Sequence, residues 1–175
     1  MKALVVYYSR SGHTRKAAEA IRDALAAAGH EVQVEELMER KSRAGVMGWL
    51  TGGRDATRRR KSEIEPVQAD VPAHDLVIIG TPVWAFTMTP AVRTFCAQHG
   101  SDARAVAFFC TMGGSGDARA FREMEEECGR APLATLALID RQVQAETEAF
   151  RAGVGKFVSQ MQAAGTGGGS AENAQ

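Results

Sequence analysis

The sequence predicts a doubly wound α/β fold, an open sheet of five parallel strands with helices on both faces. Three observations predict it. Short apolar runs recur at residues 4–8, 76–79, 105–110 and 133–139, and Val32 and Val34 mark one more strand between the first two. Helical stripes separate these runs, and strands that alternate with helices build a parallel sheet covered on both faces. Third, the loops at 9–14, 81–87 and 111–117 follow strands and are rich in hydroxyl, glycine or aromatic residues. In open sheets of this kind ligands sit at the carboxyl ends of the strands, near the point where strand order reverses.

The elements follow in order. The run Leu-Val-Val-Tyr-Tyr stops abruptly at Ser9-Arg-Ser-Gly-His-Thr. A helix then places Ala17, Ala18, Ile21, Ala24, Leu25 and Ala28 on one face, and Gly29 is suited to end it. Val32 and Val34 alternate with polar residues and lead to Leu37. The third strand, Leu-Val-Ile-Ile, ends in Gly80-Thr-Pro. Thr89-Pro90 opens a helix, with Thr as N-cap and Pro in the first turn, and Val92, Phe95 and Cys96 form its stripe. After the fourth strand, Asp117 is suited to cap a helix carrying Phe121, Met124 and Cys128. The fifth strand leads to one final helix with Val143, Phe150, Val154, Phe157, Val158 and Met161, weakened by Gly153 and Gly155. Crossovers between the parallel strands are expected to be right-handed.

A chain of 175 residues at 45% hydrophobic content is expected to form one globular domain. That domain is expected over residues 1–163, with a basic inserted connection over 41–66 and a disordered tail over 164–175, which is rich in Gly, Ser, Asn and Gln. The formal net charge is zero, so total charge gives no reason to expect a nucleic acid or membrane partner. No apolar run approaches the roughly 18 residues of a membrane span. The apolar run after Met1-Lys2 is too short for a signal-peptide core, so a cytoplasmic location is expected. Three widely spaced cysteines and four scattered histidines lack disulfide or metal-ligand patterning.

The loop at 9–14 has the makings of an anion site. A tight turn into a helix gathers backbone N–H groups and hydroxyls, and the helix dipole adds partial positive charge there. Its pattern Ser-x-Ser-Gly-x-Thr (Ser9, Ser11, Gly12, Thr14) resembles the phosphate loop of the flavodoxin-like FMN proteins. Gly80-Thr-Pro-Val-Trp-Ala, with Thr89-Pro-Ala-Val-Arg-Thr-Phe after it, resembles that family's second flavin loop and the helix beyond. Thr111-Met-Gly-Gly-Ser-Gly-Asp resembles the third loop. In order and spacing the resemblance runs from residue 2 to about 161.

The resemblance implies FMN as cofactor. Ser9, Ser11 and Thr14 would supply hydroxyls to its phosphate, and Arg10, Gly12 and His13 backbone N–H groups. Arg10 could also lend charge or lie in solvent. His13 reads as a bystander used for its backbone, with no carboxylate partner identifiable from sequence. Pro82, Val83, Trp84 and Ala85 would lie beside the isoalloxazine, Trp84 either stacking on it or packing beneath the loop. Thr111, Met112, Gly113 and Gly114 would offer backbone to the pyrimidine side, with Ser115 flanking. Many members of the family carry a glycine near flavin N5, where a peptide flip stabilises the one-electron-reduced state. Here the stretch reads Ala85-Phe86-Thr87, and residues with a Cβ resist positive φ. No aromatic residue stands in the third loop, which leaves one flavin face open to a nicotinamide or a quinone.

Competing motifs fail. Gly113-Gly-Ser-Gly is no dinucleotide fingerprint and follows the fourth strand instead of the first. Cys110 opens a phosphatase-like loop, but Gly116 stands where arginine is required, so Cys110 reads as a buried small hydrophobe. Receiver domains share the topology but need acidic residues where Tyr7, Tyr8 and Ser9 stand.

The expected function is an FMN-dependent oxidoreductase reducing quinones or similar acceptors with NADPH or NADH. The alternatives are a flavodoxin-type electron carrier serving a redox protein partner, and a scaffold that has lost flavin. Carriers of the family are acidic, whereas this chain is neutral with a basic insertion. The run Arg58-Arg-Arg-Lys61 reads as a solvated face or a site for NADPH phosphates or an acidic partner. The apolar residues around Trp49 leave a homo-oligomer open.

Overall fold

A computed structural model of the chain describes residues 1–40 and 60–167, with the side chains of 165–167 excepted. The basic run at Arg58 and Arg59, and the apolar residues around Trp49, lie outside the described residues, as does the tail from 168. In chain order the elements are β1 (Lys2–Tyr7), α1 (His13–Ala27), β2 (Glu31–Glu36), β3 (Leu76–Pro82), α2 (Pro90–His99), β4 (Val106–Met112), α3 (Asp117–Cys128), β5 (Thr135–Ile139), α4 (Asp140–Gln144) and α5 (Glu148–Gly167). The strands form one parallel sheet in the order β2-β1-β3-β4-β5. The order reverses between β1 and β3, so their carboxyl ends flank the crevice in which such folds hold ligands.

The central strands read as apolar runs because both of their faces are covered. Ala3, Val5 and Tyr7 of β1 join Ala17, Ala18, Ile21 and Leu25 of α1, and Phe157 and Met161 of α5, in one core layer. Leu4 and Val6 face the other way, against Ala91, Val92 and Phe95 of α2 and Met124 of α3. The period-2 alternation of each strand thus feeds two cores. Edge strand β2 is only part-buried, which is why its sequence alternates polar and apolar.

Three details differ from the expectations. Strand β3 runs through Gly80-Thr-Pro, and β4 runs on to Met112, so both loops leave the sheet two residues later than their composition suggests. The α3 N-cap is Gly116 at φ +111°, not Asp117, which is already the first helical residue. The single final helix is two helices: α4 ends near Ala145, Glu146 takes φ +47°, and α5 starts at Glu148. The Thr147 hydroxyl accepts from Phe150 N at 3.2 Å, so a side-chain cap restarts the helix. Helix α5 continues through residues 164–167.

Candidate functional site

The first loop connects β1 to α1. Gly12 is the α1 N-cap at φ +92°, a left-handed conformation that glycine adopts without steric cost. No side chain caps the helix from the N-cap position. Instead the Ser9 hydroxyl accepts from Gly12 N and Arg15 N, both at 3.2 Å. Thr14 is turned inward, 1% exposed, with its hydroxyl 2.9 Å from that of Thr111. Ser11 is exposed, and its Oγ lies 3.3 Å from His13 Nδ1.

His13 has a carboxylate neighbour that sequence could not identify. Asp140 Oδ1, at the start of α4, stands 3.6 Å from His13 Nδ1. The two residues lie far apart in the chain, and only the closure of β5 beside β4 brings them together. The basic side chains of the first helical turn are engaged elsewhere. Arg15 makes a two-toothed ion pair with Glu36 at 2.8–3.1 Å. Lys16 binds Glu146 at 2.8 Å and the Gln144 carbonyl at 3.1 Å.

The second loop turns back on itself at once. Trp84 N donates to Thr87 O at 2.9 Å and Thr87 N to Trp84 O at 3.1 Å, a two-residue hairpin turn. Both central residues are left-handed, Ala85 at φ +49° and Phe86 at φ +66°. That pattern is usual for Asn-Gly and costs roughly 1–2 kcal/mol for each residue with a Cβ. The expectation that this stretch would resist positive φ is therefore overturned. Trp84 is half-buried and meets the Tyr8 ring edge-on, with centroids 5.6 Å apart. The Arg10 guanidinium lies over the Trp84 ring at 5.9 Å. Phe86 is 62% exposed.

Beneath the turn lies a buried, charged cluster. Arg93 of α2 is fully buried and pairs with Glu123 of α3, which is itself nearly buried. The Thr87 hydroxyl donates to Glu123 Oε2 and accepts from Arg93 Nη2 at 3.2 Å. Arg119 Nε donates to Glu123 Oε1 at 2.8 Å, and Arg93 Nη1 to Glu127 Oε1 at 3.0 Å. Burial, the largest single influence, pushes the Glu123 pKa up. The hydrogen bonds from Thr87, Arg93 and Arg119, with the charge of Arg93, outweigh it and bring the value down to about 2. Sequence reasoning missed this cluster. Its one signal was Arg93 set among the apolar stripe residues Val92, Phe95 and Cys96, where a charge requires a buried partner.

The third loop touches the other two. Thr111 O accepts from Val83 N at 2.8 Å. A Cβ on Gly116 would lie 2.7 Å from Val83 Cγ1 and 2.8 Å from Phe86 Cα, so only glycine allows α3 to start this close to the turn. Gly113, Gly114 and Ser115 are exposed, whereas Met112 and Thr111 are buried. Among the described residues, Cβ atoms on Gly12, Gly113 and Gly114 would meet nothing within 4 Å. Cys110 behind the loop is a buried thiol, its pKa pushed up to about 12 by burial and then by the charge of Asp117. Burial favours the protonated thiol over the thiolate.

The structure therefore brings all three predicted loops to one end of the sheet. Ser9, Arg10, Ser11, Gly12, His13 and Thr14 line one side. Pro82, Val83, Trp84 and Ala85 form the middle, and Thr111, Met112, Gly113, Gly114 and Ser115 the far side. Among the described residues no group of three or more His, Cys, Asp or Glu could hold a metal ion, and no helix is long and apolar enough to cross a membrane.

A doubly wound 2-1-3-4-5 sheet with three loops joined at its switch point defines a ligand-binding module of the flavodoxin-like class. The family model described as flavodoxin matches residues 2–151, and the chain belongs to that family. It is similar to a flavoprotein from Lactobacillus acidophilus solved in complex with FMN. That protein is 25% identical with a TM-score of 0.65, and 82% of this chain and 97% of that one are covered. Oxidised flavodoxin 2 from Bacillus cereus shares the fold at 21% identity and a TM-score of 0.59, covering 93% of this chain and 99% of the other. A curated relative, NAD(P)H dehydrogenase (quinone) from Gluconacetobacter diazotrophicus, is 30% identical over 104 residues. That stretch is 57% of this chain and 47% of the relative, so the match spans about half of the relative's length.

Proposed function

We propose that this chain binds FMN where its three loops meet, and works as a reductase that passes electrons from NADPH or NADH to a quinone or similar small acceptor. One observation carries the reading. The hydroxyl-rich loop at a helix N-terminus, the Trp84 turn and the glycine loop are tied into one site by Thr14 to Thr111 and Val83 to Thr111.

The donor set suits a phosphate. Ser9 and the left-handed Gly12 shape the start of α1, where helix N–H groups and dipole favour an anion. Ser11 and the backbone of Arg10 and His13 line the same turn. Thr14 fixes the turn to the third loop. Arg15 and Lys16 are occupied by Glu36 and Glu146, so the phosphate would be held chiefly by neutral donors and the dipole. Among the described residues, the space over Gly12, Gly113 and Gly114 is open, which leaves room for a ligand to lie against backbone. Pro82, Val83, Trp84 and Ala85 would flank the ring. Thr111, Met112, Gly113, Gly114 and Ser115 would meet its polar edge through backbone groups, since the Met112 side chain is buried. When bound, FMN supplies the redox chemistry; the protein positions it and sets its surroundings.

The reductase assignment draws on the quinone dehydrogenase relative and on the exposed rim. Phe86, Gly113, Gly114 and Ser115 are all exposed, so a flat acceptor can approach. The test is to load the protein with FMN, remove free flavin, add NADPH or NADH without oxygen, and record the visible spectrum. Rapid bleaching of retained flavin that a quinone reverses is expected. Retained flavin inert to both nucleotides would overturn the reductase in favour of a carrier, and no retained flavin would overturn the whole reading.

A further inference from the structure

We propose that the buried ion pair of Arg93 with Glu123, acting through the Thr87 hydroxyl, is the positioning element that holds the 84–87 turn in its left-handed shape against the flavin ring. The inference rests on the FMN reading and adds to it residues that never touch the cofactor.

Three observations converge on it. The turn takes a conformation that neither of its central residues favours, with Ala85 and Phe86 both at positive φ. Something outside the turn must over-determine it. Thr87 is the one turn residue whose side chain is fully buried, and both capacities of its hydroxyl are used, donating to Glu123 and accepting from Arg93. The ion pair is itself built for direction more than for adhesion. Arg93 is 0% exposed, and its Nε has no hydrogen-bond partner among the described residues. A buried pair of this kind adds little net stability over apolar residues of equal size, so a geometric role is the more economical account. The pair also joins α2 to α3, and α3 begins at Gly116, whose missing Cβ lets it press on Phe86 and Val83. The turn is therefore gripped from beneath by Thr87 and from the side by Gly116.

Acting on the ring side alone, the element has a distinctive signature. Its loss weakens any ligand with an isoalloxazine by one common factor, whether or not a phosphate is present. The strain also makes it conditional. Glycine at position 86 relieves the backbone cost, so the Thr87 hydroxyl should then matter less.

The experiment measures dissociation constants of FMN and riboflavin by flavin fluorescence for the wild type, Thr87→Val, Thr87→Ser, Phe86→Gly and the double variant T87V/F86G. Urea midpoints are recorded alongside. Thr87→Val should weaken both flavins about tenfold, and by the same factor. Thr87→Ser, which keeps the hydroxyl, should bind like the wild type. In the Phe86→Gly background the same Thr87→Val change should cost threefold or less. If Thr87→Val does not fold, Glu123→Gln serves in its place, with the same pattern expected. Wild-type affinities in Thr87→Val, or an undiminished loss in the glycine background, would overturn the inference while leaving the FMN reading intact. Failure of the wild type to bind either flavin would overturn both.

Discussion

The 9–14 loop and the 84–87 turn lie at the same end of the sheet, but they are held in opposite ways. The first is local. Gly12 takes the left-handed position, and Ser9, three residues upstream, ties Gly12 N and Arg15 N. Its backbone shape is set within seven residues, and Thr14 then ties it to Thr111 of the third loop. The second is imposed from a distance. Ala85 and Phe86 are poor residues for the conformation they adopt, and the grip on them comes from Arg93 and Glu123, on two different helices. A local device survives changes elsewhere in the fold. A remote one couples the site to the packing of α2 against α3.

The largest test of that contrast is to remove one member of the buried pair. Glu123→Ala leaves Arg93 without its main partner, and a cost of about 3–5 kcal/mol in urea unfolding is expected. The double change Arg93→Met with Glu123→Leu should recover most of that stability, because apolar residues of similar volume tolerate the site. It should not recover ring affinity. If both stability and flavin binding return, the pair is structural and the contrast with the first loop collapses.

Acid provides a milder version of the same change. Glu123 titrates at about 2 in the folded chain, below its ordinary 4.5. Its depressed pKa contributes stability that is complete above about pH 4.5 and is lost as the pH falls toward 2. The wild-type urea midpoint should therefore fall more steeply than that of Glu123→Gln across this window. Parallel curves would show that Glu123 is not held as its surroundings indicate.

The local loop should respond less. Ser9→Ala removes the acceptor for two helix N–H groups and should cost about 1 kcal/mol. It should weaken FMN while leaving riboflavin almost unchanged, the reverse of the common loss expected from Thr87→Val. The smallest effect belongs to Arg15→Ala, on the partly exposed pair with Glu36. A change below about 1 kcal/mol is expected, and less in high salt. A larger loss would mean that the first turn depends on a charge that local reading passes over.

This division also explains what the sequence made legible. The five strands were readable because both faces of the sheet are covered, so apolar periodicity carried the topology. The 9–14 loop was readable because its determinants are contiguous. Trp84 was recognisable as a ring-side residue, but the shape of its turn was not, since propensity argues against it and the override comes from residues six and more than thirty positions away. The Asp140 neighbour of His13 was hidden for the same reason. The break between α4 and α5 was missed because the apolar stripe continues across it, while the stop depends on the left-handed Glu146 and the Thr147 cap. Phase alone does not reveal a cap that interrupts a helix and restarts it.

At the end of the sheet, between β1 and β3, the proposed FMN site has its phosphate pocket on the α1 side. The most direct measurement titrates the flavin-free protein with FMN and, separately, with riboflavin, following flavin fluorescence to saturation. One FMN per chain is expected, bound more tightly than riboflavin because only FMN carries the phosphate. Equal affinity for the two would contradict the phosphate pocket, and no change in fluorescence with either would contradict the site itself.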